Sequence, residues 1–148
     1  MNKLEKVRHL GHEVTSIDFS CSPSINGGGY FDVNIAFDVN TVSIRDDITD
    51  ENEDFVFSCP AEVTVIGYEN RDGAKKDNDD EDKYKVFTLK FIVETIFAYP
   101  EKEEDHKQLV ENNRWFFENF SFINIASSAD DILKNTPYRN VRLLKDRR

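Results

Sequence analysis

The sequence feature that most constrains the fold is the regular alternation of apolar and polar side chains in two long segments. Residues 55–68 read FVFSCPAEVTVIGY, and residues 83–99 read KYKVFTLKFIVETIFAY. Because successive side chains of a β-strand point to opposite faces of a sheet, each segment predicts a strand with one buried face. The residues that share this face are Phe55, Phe57, Cys59 and Ala61 in the first segment, and Phe87, Leu89, Phe91, Val93, Thr95 and Phe97 in the second. Such strands are not stable alone, so the chain must build a sheet and cover one side of it.

Two further strands are predicted nearer the N-terminus. Residues 30–45, YFDVNIAFDVNTVSIR, alternate well and predict one long strand, with Val33, Ile35 and Phe37 on its apolar face. Residues 12–21, HEVTSIDFSC, alternate less regularly. The pattern of 12–21 places Val14 with Ser16 and Asp18 on one side and Ile17 with Phe19 on the other. The segment between the two strands contains SPSINGGG, which is typical of a turn or crossover. Pro60 predicts an edge position or a bulge in the strand 55–68, because proline has no backbone N–H to donate.

The period changes after the last predicted strand, and residues 115–134 fit a helix. One arc of this helix is predicted to cover the apolar face of the sheet and contains Trp115, Phe122, Ile125, Ala126, Ala129, Ile132 and Leu133. Phe116, Phe120 and Ile123 fall on a second, nearly opposite arc, which one helix on one sheet would leave facing water. We therefore expect helix-to-helix contact with another copy of the chain, and as the second choice a site for foreign apolar segments. The predicted fold class is α+β: a four-stranded antiparallel sheet with a long C-terminal helix packed on one face.

Length and charge limit the organisation and the partners. The 148 residues suit a single domain over 1–148, with acidic loops at 46–54 and 69–82. The formal net charge of -10 argues against general nucleic-acid binding, which requires a basic surface. The N-terminus has no apolar run of the kind found in signal peptides, and the sequence has no stretch long enough to span a membrane, so we expect a cytoplasmic protein. Cys21 and Cys59 are expected to be free, half-buried thiols, although a bridge between them is possible.

The sequence shows no constellation of catalytic residues. The three histidines lack the spacing of metal ligands, and no GxSxG nucleophile motif is present. The segment NGGGY lacks the spacing of a phosphate-binding loop, and DNDDED lacks the glycine of an EF-hand loop. We therefore expect no enzyme activity, no metal ion and no cofactor. A small enzyme or a ligand-binding sheet domain is the least supported of three possible functions.

The order of predicted elements resembles the SecB family of export chaperones. The similarity is strongest in WFFENFSFINIASSADDILKNTPYRNVRLL, which has the shape of that family's main helix and the segment after it. The strands FTLKFIVETIFAY and FDVNIAFDVNTVSI and the crossover CSPSINGGGYF also resemble their counterparts, so the resemblance spans residues 12–144. Phe117 and Glu118 stand where the family has a proline, and the family's C-terminal helix and tail, which contact the SecA motor, have no counterpart. The fold therefore carries over better than the export role. SecB-like domains also occur in phages and as chaperones of toxin–antitoxin systems.

The resemblance implies a dimer or a dimer of dimers, with helices packed between subunits and aromatic-lined grooves that hold extended polypeptide without ATP. The residues that this resemblance assigns to the groove are Ile25, Tyr30, Phe31, Phe97, Tyr99 and Trp115. Ordinary core packing is the alternative for each of them. Phe116, Phe120 and Ile123 are the candidates for the contact between subunits.

Two functions follow from this resemblance. The first is a SecB-like, ATP-independent holdase that binds unfolded polypeptide. The second is a dedicated adaptor or inhibitor that binds one specific folded protein and has no general chaperone activity. The strong acidity and the missing C-terminal extension motivate the second function.

Overall fold

A computed structural model of the chain describes residues 3–22, 29–45, 47, 55–69, 85–99, 106–141 and 143. The strands are β1 (Arg8–Cys21), β2 (Gly29–Phe37), β3 (Ser43–Ile44), β4 (Phe55–Glu69) and β5 (Lys85–Tyr99), and the helices are α1 (His106–Asn112) and α2 (Arg114–Leu133). All the strand pairs are antiparallel. The predicted α+β class with a C-terminal helix is confirmed, whereas most of the predicted acidic loops lies outside the described residues.

The sheet has the order β1-β5-β4-β2, and β3 pairs with β4 beyond the end of β2. Successive strands β1 and β2 therefore lie at opposite edges of the sheet. The prediction of one long strand over 30–45 was wrong, because β2 ends at Phe37. The carboxylate of Asp38 accepts a hydrogen bond from the Asn40 N–H (2.9 Å) and caps a short 3-10 helix. This turn separates β2 from β3, which is the fifth strand that the sequence did not predict.

Pro60 lies in β4, which is a central strand of the sheet. The pairing of β2 with β4 ends at Ala61, and the pairing of β3 with β4 begins at Ser58. Pro60 falls between these two partners and is opposite Glu94 of β5 on its other side. The predicted edge position therefore holds locally, since the proline occupies the gap where its missing N–H costs no ladder hydrogen bond on that side.

β1 starts four residues before the predicted strand and contains two bulges, between His9 and Gly11 and between Val14 and Ser16. Gly11 has a φ of 143°, a left-handed conformation that glycine adopts without strain. The second bulge shifts the alternation, so that Val14 shares a face with Ile17. The prediction that placed these two side chains on opposite faces was wrong for this reason.

The core lies between α2 and one face of β4 and β5. The alternation predicted for both strands is confirmed, since the predicted residues in phase with Phe57 and Phe97 are buried, except Phe55, which is half-buried. Near the N-terminal end of α2, the ring of Phe117 packs edge-on against Phe97, with 4.9 Å between ring centroids. Toward its C-terminal end, Ile125 and Leu133 pack on the buried side chains of both strands.

The contact face of α2 differs from the predicted arc. Trp115 was placed in the core stripe and is 66 % exposed, whereas Phe117 is fully buried. The buried face also contains three small polar residues, Ser121, Asn124 and Ser128. The C-terminal part of the predicted arc is confirmed, because Ile125, Ala126, Ala129 and Leu133 are buried. Its N-terminal part was wrong, since hydropathy assigns side chains such as Ser121 and Asn124 to solvent.

Helix α1 was not predicted. Its seven residues carry two buried apolar side chains, Leu109 and Val110, too few to show a helical period. Asn113 separates α1 from α2. Its side-chain amide donates to the Leu109 carbonyl (2.9 Å), and its own carbonyl accepts from the Phe116 N–H (3.0 Å). One residue therefore ends the first helix and starts the second.

Both cysteines are free thiols, as predicted. The prediction that they are half-buried was wrong, because Cys21 is exposed and Cys59 is completely buried. Burial raises the pKa of the Cys59 thiol, since the thiolate would have to leave water. Cys59 is therefore a neutral core residue.

Candidate functional site

A groove of about 750 Å³ lies between α2 and the edge strand β2. Ile35 and Phe37 of β2 form one wall, and Trp115, Phe122 and Ile125 of α2 form the other. Grooves of this size and apolar lining are the usual sites for ligands in proteins. The groove is therefore the candidate functional site.

The groove exists because α2 covers the centre of the sheet and not its edge. The side chains of β4 and β5 beneath the helix are buried. The residues of β2 on the same face remain partly exposed, with Val33 at 37 % and Ile35 at 36 %. Since Ile35 is apolar and lines the groove together with the exposed Trp115, the groove offers a surface whose burial by a ligand is favourable.

Arg114 closes one end of the groove. Its guanidinium lies 5.7 Å from the centroid of the Phe37 ring, and its Nη2 lies 3.4 Å from the Phe37 carbonyl oxygen. The carboxylate of Glu118 accepts a hydrogen bond from Arg114 Nε (2.9 Å), and Glu111 lies 3.6 Å away. The hydrogen bond to Glu118 raises the pKa of Arg114, so the bridge between α2 and β2 stays charged.

Ser121 lies in the lining of the groove and is only 2 % exposed. Its hydroxyl has no hydrogen-bond partner among the described residues. Buried polar groups are nearly always paired, and an unpaired one needs an explanation. One explanation is that a ligand bound in the groove supplies the hydrogen-bond partner of this hydroxyl.

The C-terminal end of β2, at Ile35–Phe37, borders the groove. β2 pairs with β4 in unbroken register from Gly29 opposite Glu69 to Phe37 opposite Ala61. It is the last strand of the sheet, so its other edge has no strand partner in the described part of the chain. Backbone N–H and C=O groups are therefore presented beside an apolar groove.

The other side of α2 is held against the sheet. The side-chain amide of Asn124 lies 3.0 Å from His9 Nε2 and 3.4 Å from Thr95 Oγ1. The Phe120 ring packs at a tilt against the imidazole of His9, with 4.8 Å between ring centroids, and edge-on against Phe97. Partial burial and the nearby His12 lower the pKa of His9, which keeps the ring neutral and able to accept the hydrogen bond.

The structure separates the residues that the sequence assigned to a polypeptide groove. Trp115 lines the groove. Phe97 and Tyr99 are buried in the core, which is the alternative that the sequence left open for them. Phe31 is half-buried against the core, and Tyr30 is exposed and stacks on Tyr68. Ile25 lies outside the described residues.

The residues assigned to a contact between subunits also have different environments. Ile123 is 57 % exposed, as expected for the second arc of the helix. Phe116 and Phe120 were expected to face water and are instead half-buried against the core. Their rings pack on each other and around Phe117 and His9, because β1 begins earlier than predicted and reaches this end of α2.

Sequence reasoning missed most of the groove. Ile35 and Phe37 were predicted on the apolar face of their strand, and Phe122 in the core stripe, but none was assigned to a site. Their role depends on where α2 lies across the sheet, and no pattern in the sequence reports that position. Ser121 could not be assigned to the groove from the sequence either, because a serine within a helix looks like an ordinary surface residue.

The described residues contain no group of three or more His, Cys, Asp or Glu side chains arranged to hold a metal ion. No helix in the described part of the chain is long and apolar enough to cross a membrane. The features of the groove that a ligand can contact are its apolar walls, the bridging Arg114 and the backbone groups at the end of β2.

Neither a family model nor a curated protein matches this sequence. Among solved structures, 6 chains match it. One is the SecB-like chaperone Rv1957 of Mycobacterium tuberculosis, solved in complex with a ChAD peptide from the Rv1956 HigA1 antitoxin. The TM-score is 0.60 at 12 % sequence identity, and the match covers 95 % of this chain and 90 % of that chain. The protein therefore has a SecB-like fold, which confirms the fold expected from the sequence.

Proposed function

We propose that this protein is an ATP-independent holdase of the cytoplasm that binds extended, non-native polypeptide in the groove between α2 and β2. The observation that carries the proposal is an apolar groove of about 750 Å³ beside a strand edge that has no strand partner among the described residues. Both features are costly for a chain that has no ligand to place there. The proposed activity is binding without a chemical step.

The free energy of binding would come from apolar side chains of the ligand that leave water. Each 100 Å² of buried apolar surface contributes about 2.5 kcal/mol before the cost of ordering the ligand. Ile35, Trp115 and Phe122 offer such surface without a fixed pattern of polar partners. This arrangement favours a ligand class defined by apolar content over one defined by sequence.

The comparison with Rv1957 supports a polypeptide as the ligand, because that SecB-like chaperone was solved with a peptide from another protein. The same observation also fits the narrower function, in which the groove serves one dedicated partner. The formal net charge of -10 favours that alternative, since a strongly charged surface selects among partners. The two functions differ in the range of ligands.

The proposal is tested by diluting a chemically denatured, unrelated enzyme into buffer with the protein and without nucleotide. We expect wild type to suppress the aggregation, and Ile35→Asp to lose at least tenfold in effective concentration, because a charge in the groove opposes apolar burial. Ile44→Asp is the matched control, since Ile44 is a similarly exposed isoleucine (41 %) outside the groove. The protein has one tryptophan, Trp115, so peptide binding should shift its fluorescence to shorter wavelength.

The outcomes separate the candidate functions. Suppression that Ile35→Asp abolishes and Ile44→Asp retains supports the holdase. Failure to suppress aggregation, together with one stoichiometric partner that Ile35→Asp releases, supports the dedicated adaptor. If Ile35→Asp and Ile44→Asp suppress aggregation equally well, the groove is not the binding site.

We further propose that the protein is a homo-oligomer, a dimer or a dimer of dimers, whose subunits meet at Ile123 and the exposed parts of Phe116 and Phe120. Ile123→Asp is the sharper test, because Phe120 also packs on His9 and Phe97 within the subunit. Light scattering coupled to size-exclusion chromatography should show a smaller species for Ile123→Asp than for wild type. A wild-type monomer would contradict this proposal.

A further inference from the structure

We propose that Arg114 is a gate between the groove and a second, polar cavity, and that it limits how much of a ligand the site can hold. The inference rests on the proposed function and concerns the regulation of the same site. Arg114 lies at the Phe37 end of the groove, where two cavities adjoin each other. Movement of this one side chain would join them into a longer channel.

The second cavity, the annex, has a volume of about 440 Å³ and is lined by residues of the short 3-10 helix (Val39–Thr41) and of α1. It shares three lining residues with the groove, which are Phe37, Asp38 and Arg114. Residues that line both cavities form the wall between them. The annex therefore adjoins the groove across these three side chains.

Two residues of the shared wall are fixed in place. Phe37 pairs with Ala61 of β4, and its half-buried ring packs against the core. The backbone carbonyl of Asp38 accepts hydrogen bonds from the Thr41 N–H (3.0 Å) and the Thr41 hydroxyl (2.6 Å). Neither residue can move without the loss of these contacts, so Arg114 is the part of the wall that can open.

Arg114 is bonded more closely to the helices than to the strand. Its guanidinium lies 2.9 Å from the carboxylate of Glu118 on α2 and 3.6 Å from that of Glu111 on α1. On the side of β2, its Nη2 is 3.4 Å from the Phe37 carbonyl oxygen, which is long for a hydrogen bond, and its cation–π contact is exposed and weak. The side chain is 44 % exposed, so it can leave the strand and keep both carboxylate partners.

The two cavities differ in their chemistry, which indicates what a ligand places in each. The walls of the groove are mainly apolar, whereas the lining of the annex beyond the shared wall is mostly polar and consists of Val39, Asn40, Lys107, Gln108 and Glu111. The complete lining of the annex has two acidic and two basic side chains, so it carries no net charge. The annex therefore suits uncharged polar residues that adjoin the apolar residues of the ligand in the groove.

The test compares a short capped peptide of leucine and phenylalanine with the same peptide extended by a few serine and glutamine residues. The extension is made at each end in turn, so that both directions of the ligand are covered. Trp115 fluorescence measures binding to wild type, Arg114→Ala and Lys134→Ala. Lys134→Ala is the matched control, because it also removes an exposed, ion-paired cation at an end of α2 but lines neither cavity.

Arg114→Ala should bind one of the extended peptides about five- to tenfold more tightly than wild type, because the ligand no longer has to displace the arginine from the strand. The short peptide should bind Arg114→Ala and wild type within about twofold of each other, since it does not reach the annex. Lys134→Ala should bind every peptide as wild type does. Arg114→Lys, which keeps the charge but loses the planar contact with Phe37, should show the same selective gain to a smaller extent.

The gate is wrong if Arg114→Ala changes the affinities for the short and the extended peptides by the same factor, because Arg114 would then be only a wall of the groove. It is also wrong if neither affinity changes, because the annex would then not belong to the site. In both cases the short peptide would still bind, and the proposed function would stand. A short peptide that does not bind wild type would overturn the proposed function itself. Urea midpoints of the variants show whether each one is folded.

Discussion

The two sides of helix α2 meet the same sheet in different ways. On the side of β1, Asn124 contacts both His9 and Thr95, and the Phe120 ring covers the imidazole. On the side of β2, Arg114 bridges the gap at one end, and the rest is an open groove. One helix therefore has a closed side and an open side.

Two buried polar residues of α2 show what the difference means. The side chain of Asn124 has partners on two strands, whereas the hydroxyl of Ser121 has none among the described residues. A buried polar group that is hydrogen-bonded fixes the position of a helix, whereas an unpaired one lowers the stability of the fold. The closed side therefore holds the helix in place, and the open side keeps a surface available for binding.

The largest expected effect is the difference in stability between two aromatic substitutions near the start of α2. Phe117→Ala removes a fully buried ring from between Phe57 and Phe97 and should lower the free energy of unfolding by about 3–5 kcal/mol. Trp115→Ala removes a mostly exposed ring and should cost about 0.5 kcal/mol or less. Urea unfolding followed by circular dichroism measures both variants.

Although Trp115→Ala should hardly change the stability of the protein, it should weaken the binding of polypeptide. Trp115→Ala removes a wall of the groove and should weaken suppression of aggregation although the fold is intact. A Trp115→Ala variant that is as unstable as Phe117→Ala would contradict the assignment of the two rings to different sides. Unchanged binding would remove Trp115 from the site.

A smaller effect is expected at the two buried polar residues. Asn124→Ala leaves Thr95 and His9 without their shared partner and should lower the free energy of unfolding by about 1–3 kcal/mol. Ser121→Ala removes a hydroxyl that has no described partner and should change stability by less than about 0.5 kcal/mol, or raise it. Thermal unfolding checks the order, and equal losses would mean that the hydroxyl of Ser121 has a partner in the folded protein.

The sequence predicted the central strands of the sheet well. β4 and β5 lie in the middle of the sheet with one face under the helix, so burial alternates with a period of two from Phe87 to Thr95. The edges were predicted less well, because edge strands tolerate bulges that cost little pairing. The bulge after Val14 alone moved one side chain to the other face of the predicted strand.

The groove was only partly predictable. The aromatic residues at the start of α2 indicated a binding surface, and Trp115 lies in it. The first turns of the helix were nevertheless placed with Trp115 and not Phe117 toward the sheet, since Ser121 and Asn124 look solvent-facing by hydropathy. The position of α2 across the sheet follows from contacts such as Asn124 to His9, which join residues far apart in the chain. Local periodicity carries no information about such contacts.

The smallest expected effect is a pH dependence of the closed side. The pKa of His9 lies below its usual value, mainly because partial burial disfavours the charged ring, and also because of His12; the hydrogen bond with the Gly11 backbone acts in the opposite direction. The other groups against the ring, Asn124 and Phe120 among them, are uncharged. Since the unfolded state binds the proton more readily, His9 stabilises the fold above its unfolded pKa of about 6.5.

That stabilisation should be lost as the pH falls from about 6.5 through the lower pKa of the folded state. Urea midpoints at about pH 7.5 and 5.5 should therefore decline for wild type and stay level for His9→Gln. His12→Gln should keep most of the decline, because partial burial is the main cause of the shift. The carboxylate of Asp47, whose pKa is lowered by its hydrogen bond with Arg45, titrates in a lower range and does not contribute to this interval. An identical decline in wild type and His9→Gln would show that the contact between Asn124 and His9 does not depend on a neutral ring, and the closed side of α2 would then hold through apolar packing alone.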